Sequence, residues 1–183
     1  MTRVLLPLAE GFEDLEAVTV IDILRRGGME VITAGLQEGL VTGARGTRVL
    51  PDAQLDEVLE QKFDLLVLPG GQPGTRNLQA DPRIRKLLLQ RQEQGTCVAA
   101  ICAAPGILAD VGLLAGKRAT SFPGAIDATR TDLQYCEDSV VVDGNIITSR
   151  GPGTAMDFAL TLVSLMEGPE RHDSVEEALM RPA

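Results

Sequence analysis

Continuous apolar runs alternate with amphipathic segments along this chain. R-V-L-L-P-L (Arg3 to Leu8), E-V-I-T-A-G-L (Glu30 to Leu36), D-L-L-V-L-P-G-G (Asp64 to Gly71) and C-V-A-A-I-C (Cys97 to Cys102) lack the polar alternation of a half-exposed strand. Strands of that kind are covered on both faces, and when helices separate them they belong to a parallel sheet. The expected fold class is therefore α/β, a doubly wound three-layer sandwich with a mostly parallel sheet.

The intervening segments agree. E-G-F-E-D-L-E-A-V-T-V-I-D-I-L-R-R-G-G opens on acids, carries helical periodicity and closes on arginines and glycines, which is a helix with a complemented dipole. Thr42 to Pro51 reads as a short irregular hairpin ending in a Pro-Asp turn. Asp81 to Gln94 is an amphipathic helix stopped by Gly95, and Val140 to Ser149 is a hairpin with its turn at Asp143 to Asn145. G-P-G-T-A-M-D-F-A-L-T-L-V-S-L-M-E-G supplies a closing helix. No repeat, linker or low-complexity segment interrupts the 183 residues, so one domain over 1–183 is expected.

Composition narrows the partners. A formal net charge of -9 opposes a phosphate-backbone partner, because such binding needs clustered Lys and Arg, and no structural nucleic-acid binding is expected. No apolar run reaches the roughly 20 residues of a membrane helix, and the N-terminus shows no basic segment with a cleavage site. A cytoplasmic location without membrane association follows as the expectation. Three cysteines and one histidine, without paired-ligand spacing, suggest neither a disulfide framework nor a metal site. Phosphate-cradling and dinucleotide-binding glycine motifs are also missing, which disfavours a kinase and leaves no cofactor expected.

In doubly wound sheets ligands bind beyond the carboxyl ends of the strands, near the point where strand order reverses. That rule selects three loops, carrying Glu10, Glu13, Asp14 and Glu16, then Gly70 and Gly71, then Cys102. At Cys102 a strand must turn sharply into a helix between alanines at 99, 100, 103 and 104. Such a turn exposes a nucleophile beside backbone N–H groups, and a helix N-terminus favours the thiolate, so a thiol pKa lowered below about 8.5 is expected. The competing reading is a buried cysteine acting as a small hydrophobe.

Glu16, flanked by Leu15, Ala17 and Val18, can face the crevice rather than water. A carboxylate there would raise the thiol pKa, so the pair works if burial keeps Glu16 protonated as a hydrogen-bond donor. Glu13 and Asp14 read as dipole-complementing acids of the first turn. Cys97 reads as core packing, and Cys136 as a loop or strand-edge residue whose acidic neighbours oppose thiolate formation. His172 reads as a surface residue after the last long helix, so a Cys-His dyad is not expected. Pro69 to Gly71 offers backbone N–H groups or merely ends a strand. Arg45 and Arg150 can bind an anionic substrate group or make ordinary surface pairs.

Four motifs, A-E-G-F-E-D-L-E-A-V with I-D-I-L-R-R-G-G, V-L-P-G-G, A-A-I-C-A-A-P and T-S-R-G-P-G-T-A-M-D-F-A-L, together resemble the DJ-1/ThiJ/PfpI superfamily over nearly the whole chain. Within it the chain is most similar to the DJ-1 branch, of the bacterial YajL-like type. The resemblance implies a flavodoxin-like, class I glutamine amidotransferase-like fold and a homodimer. It also implies Cys102 as nucleophile, Glu16 hydrogen-bonded to it, and Gly70, Gly71 and Ala103 as backbone oxyanion groups. Protease-like members carry His after the nucleophile, where this chain has Ala103, which argues against proteolysis. Several DJ-1-type members carry His where S-F-P-G places Phe122. Phe122 and Pro152 join Arg45 and Arg150 as candidate substrate-binding residues.

The function expected from these residues and the resemblance is a cofactor-independent glyoxalase or deglycase acting on methylglyoxal or early glycation adducts, its partners a small carbonyl substrate or a glycated protein. A redox-sensing, stress-protective chaperone that uses Cys102 oxidation is the alternative. A thiol hydrolase of small amides or nitriles is a third.

Overall fold

The computed structural model describes residues 1–127 and 129–181. In chain order, β1 (Arg3–Leu8), α1 (Asp14–Arg26) and β2 (Glu30–Gly35) form a first strand-helix-strand unit. The hairpin β3 (Val41–Thr42) and β4 (Arg48–Val49) follows, then β5 (Ala53–Gln54) and the single turn α2 (Leu55–Val58). β6 (Leu65–Leu68) leads to α3 (Gly74–Ala80) and α4 (Pro82–Gln94), and β7 (Cys97–Ile101) to α5 (Pro105–Asp110). A small ladder joins β8 (Arg118–Ala119) to β9 (Gln134–Tyr135), and β10 (Val140–Asp143) turns into β11 (Ile146–Ser149). A 3-10 turn at Pro152–Thr154 opens α6 (Ala155–Glu167), and α7 (Pro169–Ala178) is the last described helix.

The main sheet has seven strands in the order β10-β11-β7-β6-β1-β2-β5. All its pairs are parallel except the β10–β11 hairpin. The chain runs outward from β1 to β2 and β5, then returns to the other side of β1 at β6. Strand order therefore reverses between β1 and β6, and the loops after those strands face each other across the crevice.

Alternation along the strands divides the core into two layers. Val4, Leu6 and Leu8 of β1, with Val67 and Ile101, pack beneath Val20, Ile23 and Leu24 of α1 and Phe158, Leu162 and Val163 of α6. Leu5, Leu66, Leu68, Val98 and Ala100 point the other way, toward Ile84, Leu87 and Leu88 of α4 and Ile107 and Leu108 of α5. Helices thus cover both faces, which is why the strands could be uniformly apolar. Asp81 caps α4 by accepting from the Arg83 N–H at 2.9 Å, and Gly95 ends the same helix in the left-handed conformation at φ 65°.

Sequence patterning carries little signal for α3, α7 and the β8–β9 ladder. In G-T-R-N-L-Q-A the only large apolar side chain buried is Leu78, and in P-E-R-H-D-S-V-E-E-A it is Val175. His172 follows α6, the last long helix, and lies within the short α7, paired with Asp173. Arg181 ties this end of the chain down, donating to Asp157 on α6 at 2.6 Å and to Glu176 on α7 at 3.2 Å. Among the described residues no helix is long and apolar enough to cross a membrane.

Phe158 is fully buried where α6 meets the sheet. Truncating it by Phe158→Ala is expected to cost about 3–5 kcal/mol. Urea unfolding should show this as a lower midpoint with an unchanged m-value.

Candidate functional site

The strand-to-helix turn after β7 places Cys102 at φ 64°, in the left-handed region where side chains with a Cβ are strained. Two backbone hydrogen bonds hold it there. The Cys102 N–H donates to the Ser149 carbonyl at 2.9 Å, and the Cys102 carbonyl accepts from the Phe122 N–H at 2.8 Å. Ser149 is fixed in turn, its hydroxyl donating to the Ser139 carbonyl at 2.7 Å and lying 2.7 Å from the Thr154 hydroxyl. Helix α5 starts at Pro105, three residues beyond the cysteine rather than at it.

Glu16 reaches the same point from α1. It is the third residue of that helix and is fully buried, and its Oε2 accepts from the Gly70 N–H at 2.9 Å. Oε1 has no partner of hydrogen-bond geometry, and the Cys102 thiol is the side chain whose interaction with the carboxyl is felt in both titrations. Gly70 is squeezed between the two. A Cβ built on it would lie 2.6 Å from Cys102 Cβ and 2.6 Å from Glu16 Oε2, so only glycine lets these groups meet. Gly71, at φ 92°, lies equally tight against the backbone of Phe12 and Glu13, while the Glu13 N–H donates to the Gly70 carbonyl at 2.9 Å. The loops after β1 and β6 are thereby locked together across the switch point.

The electrostatics follow from burial. Loss of water pushes the Glu16 carboxyl up from 4.5 to about 7, with a further push from Glu13, against the pull of the thiol and the Gly70 N–H. Burial, then the charge of Glu16 and its hydrogen bond, push the Cys102 thiol up to about 12, although the Gly71 and Ala103 N–H groups favour the thiolate. The lowered thiol pKa expected from sequence is therefore corrected: desolvation and the charge of Glu16 outweigh the Gly71 and Ala103 N–H groups. Gly71 and Ala103 sit where backbone donors were expected, whereas the N–H of Gly70 is engaged by Glu16.

The other candidates separate. Phe122, Arg150 and Pro152 line one open cavity of about 260 Å³ together with Pro123, Gly151, Gly153 and Thr154. Arg150 is tethered there, donating to the Glu137 carbonyl at 2.9 Å. Arg45 is exposed on the β3–β4 hairpin and does not line that cavity. Its backbone N–H and that of Thr47 donate to Asp14, each at 2.8 Å, so Asp14 anchors a hairpin as well as opening a helix. Cys97 packs against the core, its thiol raised by burial, and Cys136 is buried beside β9. A larger cavity of about 430 Å³ lies beyond β1 and β2, lined by residues such as Leu36, Leu40 and Arg83, and contains neither Cys102 nor Glu16. Ser149 and Thr154, which steady the cysteine, escaped the sequence reading. The T-S-R-G-P-G-T run holds both, but only the fold shows which carbonyl meets Cys102.

A doubly wound α/β protein with a strained cysteine and a buried glutamate joined through one glycine at the sheet's switch point defines a thiol-acid class. Within that class the chain belongs to the DJ-1/PfpI family, which matches residues 2–165. It is 41% identical over 175 residues to the Drosophila melanogaster protein dj-1beta, covering 94% of each chain. It is 38% identical over 176 residues to a Caenorhabditis elegans protein named glutathione-independent glyoxalase DJR-1.2, covering 96% of this chain and 94% of that one. The solved structure of oxidized Toxoplasma gondii DJ-1 superposes over 100% of both chains with a TM-score of 0.95 and 34% identity.

Two outcomes test this geometry. Because the Glu16 value in the fold lies above its unfolded 4.5, protonated Glu16 stabilises the protein fully below about pH 4.5, and that stability is lost as pH rises through about 7. The loss amounts to about 3 kcal/mol. The melting temperature of Glu16→Gln should therefore gain on wild type between about pH 4.5 and about pH 8; a constant difference would show that Glu16 ionises as in water. Gly70→Ala should destabilise the fold by about 1–3 kcal/mol through overpacking and displace Glu16, read as a lower thermal midpoint with a weaker pH dependence.

Proposed function

We propose that the chain is a cofactor-independent glyoxalase or deglycase that converts methylglyoxal, or its early adducts on proteins, through a Cys102 hemithioacetal. The carrying observation is the buried Cys102–Glu16 pair, with Gly71 and Ala103 N–H groups favouring negative charge at the sulfur. The glyoxalase name of the C. elegans relative supports the same reading.

With the thiol at about 12, free thiolate is scarce at neutral pH, so the sulfur needs a base as it attacks. Glu16, near 7, supplies one: its ionised form accepts the thiol proton while the S–C bond forms on the aldehyde carbon. The acid then returns that proton to the aldehyde oxygen, giving the hemithioacetal. Glu16 next removes the hydrogen from the aldehyde-derived carbon and delivers a proton to the adjacent ketone carbon through an enediol. The Gly71 and Ala103 N–H groups stabilise the oxygen on which charge builds. The product is a thioester of lactate, and water cleaves it to lactate and the free thiol. No electron acceptor is required, because the aldehyde is oxidised as the neighbouring ketone is reduced.

The protein acts as a cytoplasmic homodimer in this proposal. Leu15 and Val18, one turn apart on α1, are 51% and 46% exposed and form an apolar face fit for a second copy.

A second reading has its own support in the oxidized state of the Toxoplasma neighbour. Two molecules of peroxide would convert the Cys102 thiol to a sulfinic acid with release of two waters, and the same backbone N–H groups would hold the new oxygens. Mass spectrometry after peroxide, with and without client-protein protection, distinguishes this sensing role from dicarbonyl turnover.

Glu16→Gln separates thiol reactivity from catalysis. Removing the negative charge lowers the Cys102 pKa, so alkylation by iodoacetamide at neutral pH should accelerate. Lactate formation should nevertheless fall by about 10²-fold or more, because the proton carrier is lost. Cys102→Ala should abolish lactate formation, and turnover equal to wild type in either variant would refute the assignment.

A further inference from the structure

Phe122 occupies a place that neither acid-base chemistry nor the core explains. Its N–H donates to the Cys102 carbonyl, yet its ring is 49% exposed. The ring lies against Gly151, where an added Cβ would come within 3.4 Å of Phe122 Cδ2. Phe122 and the Ser149–Gly151 segment thus flank Cys102 through the two hydrogen bonds that hold it. Phe122, Arg150 and Gly151 also line the open cavity of about 260 Å³ described above.

That cavity is apolar in character. Phe122, Pro123 and Pro152 supply its bulk, and Arg150, its one charged side chain, is tethered to the Glu137 carbonyl. Its volume falls below the roughly 300–1,000 Å³ of sites for drug-sized ligands, so it suits a single small apolar group. A methyl substituent would leave the ring uncovered, whereas a flat aryl group can stack on it and cover the prolines.

We infer that Phe122, with Pro123 and Pro152, forms an aromatic shelf beside Cys102 that selects electrophiles bearing an aryl substituent over those bearing a methyl group. The inference rests on the proposal that Cys102 attacks carbonyl substrates, and names their class: 2-oxoaldehydes with an aromatic substituent. The side chain acts by contact with the substituent, leaving the proton transfers to Glu16.

Two readouts on wild type, Phe122→Ala and Phe122→Tyr test it. In the first, phenylglyoxal and methylglyoxal turnover are compared as a ratio of kcat/KM. In the second, phenacyl bromide and bromoacetone alkylate Cys102, with the S–C bond forming as bromide leaves and the thiol proton passing to solvent. Site-resolved mass spectrometry follows that reaction, which needs no glyoxalase step. The aryl-to-methyl ratio should fall by about tenfold in Phe122→Ala and be kept in Phe122→Tyr, which retains the ring. A Phe122-dependent ratio in alkylation without turnover of either dicarbonyl would support the shelf and sink the glyoxalase proposal. Ratios equal in all three proteins, or a Cys102 that neither bromoketone reaches, would overturn the shelf. Since Phe122 is half-exposed, the alanine variant should fold, and circular dichroism confirms it.

Discussion

The left-handed backbone of Cys102 is the constraint around which the other parts are arranged. A residue with a Cβ at φ 64° carries about 1–3 kcal/mol of strain, which persists only where surrounding contacts determine it fully. Here the Ser149 carbonyl and the Phe122 N–H grip the peptide from opposite sides. That grip fixes where the sulfur stands, and Gly70 then fixes how close the Glu16 carboxyl can come.

Acid and thiol restrain each other's charge. Burial alone would keep both protonated, and their proximity penalises the doubly ionised state further. The consequence is a pair that carries at most one negative charge near neutrality. In the proposed reaction the thiol gives up its proton to Glu16 only as the new bond forms. Backbone donors at Gly71 and Ala103 are in place beforehand, so no side chain must reorganise to meet the charge.

Much of this was legible in the residues. Uniformly apolar strands announced the two-sided sheet, and a cysteine where such a strand breaks among alanines announced the turn. Glu16 stood out as an acid among apolar neighbours in a first helical turn. Gly70 and Gly71 stood out as backbone donors, but not as the gap that admits the Glu16 carboxyl, because a glycine that ends a strand and one that admits a carboxyl look alike until three segments are brought together. The direction of the thiol shift was misread for a related reason. Helix polarity can be read along the chain, but desolvation and the nearness of Glu16 are properties of the packed crevice. The start of α5 at Pro105, three residues beyond the cysteine, weakened the very effect on which the expectation relied. Helix α7 escaped because its ten residues bury only Val175, too little apolar patterning to register.

The two bonds that hold Cys102 come from segments far from it in sequence, and the partner of Glu16 at Gly70 lies 54 residues away. None of these contacts is local, so the site has high contact order and forms only once the sheet has closed on both sides of β1. Before that point Cys102 is an unremarkable thiol on a flexible chain, without its strained backbone or its acid. The Cys102–Glu16 arrangement is therefore a property of the completed fold, and a change at β11 or at the Phe122 loop would release it without touching either side chain.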